Sequence, residues 1–528
     1  MKHTFFSLML AIGIPCFAYA QTDDFSEISD ECTTITMGKK ATDDGSVRTS
    51  HTDDSHRTRT NVVMIPAKTH PQGASVTMYK RSACDTSKMR SYSHDSIGTI
   101  PQVAKTYGYM NTAYPCINEK QVAIGESTIG GRAELQSDNG LIDCQRLCLL
   151  MLERCSTARQ AILTAGDLLK TYGWIDAGEC LTIADKNEVW HLEIFGAGKG
   201  NCGAVWAAQR LPDEHISVNA NASTIKQIDT ADKDYFLYSD NVFSLAKDSG
   251  WWKPDEPFLF CYAYAPQSRA LLAARRREWR VFDLLAPSLK LDPNMENYPF
   301  SVKPDSLVSL EKMMSVFKDY YEGTEYDMRK NLVVKGDSGK MVMSPHANPF
   351  MGVDELKLHR INGGWHAYGE RAIAVRFTVY ATVIQCRDWL PDEIGGVVWF
   401  GLGNAATTVY VPIYCSVNKL PIRYETCGRK TGFSRDAAWW AFQRTATIAA
   451  RRWGNMRTEI DSIWKPFQKE LIDNQQKIEA EALKVYNPQK PAACINLLTK
   501  YSNEQANKAV DKAWDLGDLL WTKYNGMW

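Results

Sequence analysis

A chain of 528 residues exceeds what one small core organises, so one large domain with extensions, or two to three domains, is expected. Lysine plus arginine and aspartate plus glutamate balance at 61 each, leaving no net field to gather nucleic acid or anionic lipid. A hydrophobic share of 44% is that of a globular protein and excludes a disordered chain.

The N-terminus reads as a targeting segment. Lys2 and His3 precede an apolar run from Phe5 to Phe17 that ends in Ala18-Tyr19-Ala20, a small-x-small cleavage site before Gln21. The run is too short to span a bilayer, and no later uncharged apolar stretch reaches about eighteen residues. Residues 1–20 are therefore expected to be a signal peptide of bacterial type, with the protein exported to the periplasm or beyond and no membrane span. Pro15 directly before Cys16 is a poor fit to lipoprotein processing.

Residues 21–31 carry five acids and no base, and Cys32 follows them. A thiol at the first position of a mature chain has its own α-amino group within reach as a base. Signal peptidase wants small residues before its cut, so Asp30-Glu31 does not suit it, and freeing Cys32 requires a second cleavage. Setting Cys16 and Cys32 aside leaves twelve of the fourteen cysteines, an even number that allows disulfides without fixing their pairing. Cys144, Cys148 and Cys155 lack a fourth ligand and read as buried small side chains, so no metal is expected there.

Short β-rich segments are expected at 33–37, 47–52, 61–65 and 75–79, with Asp43-Asp44-Gly45 as a hairpin turn. Counting outward from Asp44 brings residues 54–57 opposite Cys32, which returns Asp54 to the neighbourhood of the thiol. On that strand Arg48, Ser50, Thr52 and Asp54 share one face and His51 takes the other. A carboxylate there can hold a new N-terminal amine in position. Helices are expected at 143–154 and again from an N-cap at Ser156, with Ile162, Ala165, Leu168 and Leu169 inward and Gly173 as the stop. Strands at 180–183, 189–195 and 215–218, a helix at 267–285, and strands at 372–385, 397–401 and 407–414 complete a layered α+β sandwich. The last hundred residues read as helices at 434–452, 460–485 and 502–524, the last opened by Ser502-x-x-Gln505. Arg451-Arg452 beside Trp439, Trp440 and Trp453 reads as packing, and no nucleic-acid partner is expected.

Other catalytic signatures are missing. His359 and His366 do not form His-Glu-x-x-His, Gly401-Leu402-Gly403 lacks the lysine of a phosphate loop, and Gly-x-Ser-x-Gly does not occur.

Cys32-Thr33-Thr34, Gly38-Lys39-Lys40-Ala41, Asp44-Gly45-Ser46 and Asp54-Ser55 together resemble the opening of the bacterial PepD-type dipeptidases, cysteine peptidases of the N-terminal-nucleophile hydrolase superfamily. The likeness continues through Ile117–Ser127, Leu152–Arg159, Trp190-His191-Leu192-Glu193, Arg210–Glu214, Val218–Asn221, Asp234-Tyr235-Phe236, Ser239-Asp240-Asn241, Ile384–Arg387 and Val398–Gly401, covering about residues 32–460. It implies a four-layer αββα sandwich over 32–430, after which the helices read above form a helical C-terminal region at 431–528. It also implies hydrolysis of dipeptides without cofactor or metal, after loss of the residues before the cysteine. By the same analogy Cys32 is the nucleophile and, through its amine, the base; Asp54 positions the amine; and Asn118 and Asn221, or Asn219 in place of Asn221, serve the oxyanion or steady the amine. Where some relatives carry arginine three residues before that acid, this chain has His51, which reads as a substitute near the thiolate, a substrate contact or a packed imidazole. Two other readings stay open: an amidase or acylase acting on non-peptide amides, and a non-catalytic surface binding protein.

Overall fold

The structure is a computed structural model that describes residues 31–56, 58–81, 92–327, 329–351, 355 and 371–527. The expected signal segment, most of the acidic spacer, His359 and His366 lie outside the described residues. Alternating β and α segments assemble into two large antiparallel sheets with helices against both. One sheet has seven strands in the order Ser301–Val302, Ile216–Asn219, Glu31–Met37 (β1), Val47–Asp54 (β2), Thr378–Cys386, Val397–Leu402 and Val411–Tyr414. The other has eight, in the order Phe236–Tyr238, Ala204–Arg210, Val189–Gly196, Glu179–Ala184, Ala123–Thr128, Ile117–Asn118, Tyr109–Asn111 and Val63–Ile65.

β1 and β2 are central strands, and β2 is buried on both faces although it reads Val-Arg-Thr-Ser-His-Thr-Asp-Asp. A polar strand survives there only if its side chains are bonded, and they are. Ser50 Oγ lies 2.8 Å from Ile35 N and 2.7 Å from Ile35 O, and the Thr52 hydroxyl accepts from Thr33 N at 2.9 Å. Two further bonds join the sheets face to face: Thr49 Oγ1 to Thr182 Oγ1 at 2.7 Å, and Thr36 Oγ1 to His191 Nε2 at 2.8 Å. At Gly125 the sheets come so close that a Cβ would lie 2.2 Å from Ser50 O.

The β1–β2 hairpin turns where expected, with Gly45 at φ +80°. Arg48, buried, ties the turn together through Asp43 at 2.8 Å, Asp44 at 2.6 Å and Val308 O at 2.8 Å. Its register falls one residue short of the expected range 54–57: Cys32 pairs with Asp53, and Glu31 with Asp54. The tight bends fall earlier than a turn centred on Asp44 would put them.

Helix Cys144–Arg154 falls where the sequence suggests and is capped by Asp143, whose side chain accepts from Arg146 N. The next, Ala158–Tyr172, is capped by Thr157 and not Ser156, because Thr157 Oγ1 receives Gln160 N. The expected helix at 267–285 is broken at Leu271 into Pro266–Ala270 and Leu272–Leu285. Ser502 is not a helix start but a buried residue inside Ala492–Tyr524, which opens after Pro491. The three C-terminal helices, Ala438–Ala450, Trp453–Val485 and Ala492–Tyr524, lie on the strands at 397–402 and 411–414. All twelve described cysteines are free thiols, so no disulfide joins the described residues. Cys144, Cys148 and Cys155 are buried, as their reading as core residues requires.

Candidate active site

Side chains alternate along β1, which sorts the site into two faces. Cys32 and Thr36 point to the eight-stranded sheet, and Thr33 points to helix Leu272–Leu285. The Cys32 thiol donates to Glu126 Oε2 at 3.2 Å, and His51 Nε2 lies 3.2 Å from the same oxygen. Glu126 comes from strand Ala123–Thr128 and is wholly buried, as is its neighbour His51. Thr128 Oγ1 lies 3.1 Å from both Glu126 Oε1 and Glu179 Oε1, extending a chain of acids away from the thiol.

Electrostatics work against ionisation of this thiol. Burial pushes the Cys32 thiol well up, and the carboxyls of Glu126, Asp53 and Asp54 push it further, against a single backbone hydrogen bond from Asp54. Burial works against ionisation of Glu126 too, yet the His51 imidazole 3.2 Å away holds that carboxyl below its ordinary range. Asp53 is raised to about 7, chiefly by burial, against the pull of His51 and the 2.6 Å bond from the Thr58 hydroxyl.

The backbone of Cys32 is gripped at both ends. Its N–H donates to Asn221 Oδ1 at 3.1 Å, and its carbonyl accepts from Arg277 Nη1 at 2.8 Å. Asn221 follows strand Ile216–Asn219 in a left-handed conformation, φ +64°, which asparagine tolerates better than most residues. That turn aims its carbonyl oxygen at Cys32 while Nδ2 donates to Thr128 O at 2.7 Å and its backbone N–H to Ser127 Oγ at 3.0 Å. Glu193 pins the rest of the loop by accepting from Thr224 N at 2.6 Å and Ile225 N at 3.3 Å. Arg277, in helix Leu272–Leu285, also donates to Asn221 Oδ1 at 2.9 Å and Thr33 Oγ1 at 2.9 Å.

On the helix side of β1 lies a second cluster. Glu31 Oε2 sits 3.1 Å from Arg277 Nη2 and 2.8 Å from Arg371 Nε. Arg371 also donates to Asp54 Oδ2 at 2.7 Å, and Asp54 Oδ1 accepts from the Thr378 hydroxyl at 2.6 Å.

Of the residues singled out from sequence, the fold brings Cys32, His51 and Asn221 together. Asp54 lies across the sheet from the thiol side, engaged with Arg371, and the acid opposite Cys32 is Asp53. Asn118 is elsewhere. Its Nδ2 donates to Leu152 O and Cys155 O, both at 2.8 Å, and its Oδ1 accepts from Lys120 N and Val122 N, both at 3.0 Å, so its amide braces a turn against a helix end. Asn219 likewise turns inward, donating to Ala222 O at 2.8 Å. Glu126, Asp53, Arg277 and Arg371 were missed. A carboxylate inside the apolar strand Ala123–Thr128 and the run Arg275-Arg276-Arg277 within a helix were the signals available for two of them.

Among the described residues, Cys32, His51 and Glu126 each offer a donor atom within 4.8 Å of the others, as do Glu126, Cys144 and Glu179, a spacing that could admit a metal ion. A cavity of about 600 Å³ lined by His56, Phe377, Arg429 and Trp439 flanks the site without including the thiol.

A buried thiol donating to a carboxylate, its own amide and carbonyl held by an asparagine and an arginine, defines a candidate cysteine hydrolase centre. The chain belongs to peptidase family C69, whose model matches residues 31–466. Over 504 residues it is 25% identical to a probable dipeptidase of Latilactobacillus sakei, covering 92% of this chain and 93% of that protein. A probable dipeptidase B of Streptococcus pyogenes serotype M1 is 23% identical over 468 residues, covering 86% of this chain and 85% of its own length. A probable dipeptidase of Salmonella dublin is 24% identical over 409 residues, covering 72% and 80%. These matches agree with the resemblance read from the sequence.

Proposed function

We propose that this peptidase, a cysteine-type dipeptidase by its family and by the names of its relatives, is exported and hydrolyses dipeptides with Cys32 as nucleophile. The observation that carries the reading is the Cys32 thiol on Glu126 with its N–H on Asn221, one residue inside the start of the family match. The stacked sheets with helices outside support the N-terminal-nucleophile sandwich that the resemblance implies.

Activation requires loss of the residues before Cys32. Hydrolysis of the Glu31–Cys32 peptide bond consumes one water and leaves a free α-amino group where the amide N–H now donates to Asn221 Oδ1. An α-amine of pKa about 7.7–8.0 and a thiol of about 8.5 exchange a proton nearly evenly. The amine takes the thiol proton, and its positive charge offsets the carboxyls that now hold the thiol neutral. The thiolate attacks the dipeptide carbonyl, the C-terminal amino acid departs with that proton, and a thioester remains on Cys32. Water deprotonated by the same amine then releases the N-terminal amino acid and restores the thiol. Asn221 steadies the amine, Asp54 acts through Arg371, and His51 acts through Glu126.

Purified secreted protein tests this directly. Intact mass and N-terminal sequencing should find a chain beginning at Cys32, and Cys32→Ala should abolish dipeptide cleavage; full activity in that variant would sink the mechanism. A second reading has its own observation, the contact of the thiol with Glu126 in the uncleaved chain. If protein beginning at Gln21 is active, the Glu126–His51 pair is the base and the freed amine is not. Cleavage of acyl amides with dipeptides left intact would point to the amidase alternative.

A further inference from the structure

The arginine pair that grips Glu31 has a consequence for substrate recognition. Arg277 and Arg371 are both buried, and Glu31 Oε2 bridges them at 3.1 and 2.8 Å. Arg371 keeps a second carboxylate partner in Asp54. Arg277 has none among the described residues: its other hydrogen bonds go to Cys32 O, Ala220 O, Ala273 O, Thr33 Oγ1 and Asn221 Oδ1, all uncharged. Leaving a buried guanidinium without its carboxylate is costly, and loss of the leader would remove this one. Arg371 Nη1 is buried and has no hydrogen-bond partner among the described residues.

We propose that the seat vacated by the Glu31 side chain receives the C-terminal carboxylate of the dipeptide, with Arg277 and Arg371 as the recognising pair. The inference rests on the dipeptidase reading of the Cys32 site and names what selects its substrate. Reach supports it. In Glu31 the side-chain carboxyl is separated from the peptide carbonyl by Cα, Cβ and Cγ, and in a dipeptide the terminal carboxylate is separated from the scissile carbonyl by one nitrogen and one Cα. The two spans differ by a single atom. The seat, on the helix face of β1, also adjoins the backbone nitrogen of Cys32, since Asn221 Oδ1 accepts from Arg277 at 2.9 Å and from Cys32 N at 3.1 Å. Glu31 is one-fifth exposed, so the seat opens toward solvent once the residue departs. A guanidinium pair matches a carboxylate in geometry as well as charge. Leader and substrate then compete for one anion site, and an unprocessed chain blocks itself with its own glutamate.

The test uses processed protein beginning at Cys32 and a panel of dipeptides of varied side chain, each paired with its C-terminal amide. The free acids should have kcat/KM about tenfold to a hundredfold above the amides, the size of a charge-assisted hydrogen bond. Arg371→Gln should bring that ratio toward one, and Arg371→Lys, which keeps charge without the fork, should recover part of it. A purely structural role for Arg371 would depress acids and amides alike and leave the ratio standing. Equal turnover of acids and amides by the unaltered enzyme overturns the seat while the dipeptidase reading stands. If no peptide in the panel is cleaved, that reading falls instead, and the seat is judged by iodoacetamide capture of Cys32: slowing by free amino acids but not by amino-acid amides upholds it, and equal rates overturn it.

Discussion

Asp53 shows how a single position couples the site to pH. It faces Cys32 across the hairpin, and burial raises its carboxyl to about 7. An acid whose folded value lies above its unfolded value of about 3.9 favours the folded state in its protonated form. Its contribution to stability is therefore complete below about pH 4 and lost as pH rises through about 7. The gap corresponds to on the order of 4 kcal/mol at 1.36 kcal/mol per tenfold change in proton affinity. Asp53→Asn removes this dependence, so urea titrations should show the variant gaining on the parent between pH 4 and pH 8 by up to that amount. A gap between the two proteins that does not change with pH would mean that Asp53 titrates normally. The same ionisation adds negative charge beside the thiol, so the activity profile near pH 7 should change shape in the variant.

At the scale of elements, the closeness of the two sheets sets where Glu126 sits. A Cβ on Gly125 would lie 2.2 Å from Ser50 O and 2.6 Å from Thr182 Oγ1, so neither backbone can give way without separating β2 from strand Ala123–Thr128. Gly125→Ala should destabilise by about 1–3 kcal/mol, the usual cost of overpacking, read as a lower urea midpoint. It should also lower dipeptide turnover, because Glu126 and Ser50 move apart with the sheets; unchanged stability would show that the contact is slack. Cys32 stood out by its place after an acidic spacer, and the hairpin by Asp44-Gly45, because both signals are local. Glu126, Arg277 and Arg371 reach the thiol's surroundings from segments about 94, 245 and 339 residues away, and no local period announces such a meeting. Asn118 carried the family pattern, but its amide is consumed by a helix end and a turn, a fact that only three-dimensional bonding reveals.

Across the whole molecule, the C-terminal helices bear on whether the catalytic sheet can stand without them. The run of helices expected over 431–528 suggests a separate helical region, yet these helices share the buried core of the sheet. Trp464 Nε1 donates to Thr407 O at 2.9 Å, Gln468 exchanges bonds with Tyr410 N and O at 2.8 and 3.0 Å, and Gln475 donates to Gln385 at 2.9 Å. Glu479 pairs with buried Arg387 at 2.7 Å and accepts from the Tyr414 hydroxyl at 3.1 Å. Gln385 and Arg387 lie at the end of the strand that pairs with β2, so the helices brace the sheet two strands from Cys32. Cutting the chain after residue 430 would strip these partners and expose the strands at 397–402 and 411–414, each buried side chain forfeiting roughly 1.5–3 kcal/mol. The truncated protein should fail to give a cooperative thermal transition by circular dichroism and should not cleave dipeptides. A milder change, Glu479→Gln, should cost about 3–5 kcal/mol by leaving the Arg387 charge unpaired, read from the shift in urea midpoint. A truncated chain that melts cooperatively and keeps its turnover would make the helices a detachable domain; the bonds from Gln385, Arg387 and Tyr410 argue that they are part of one core.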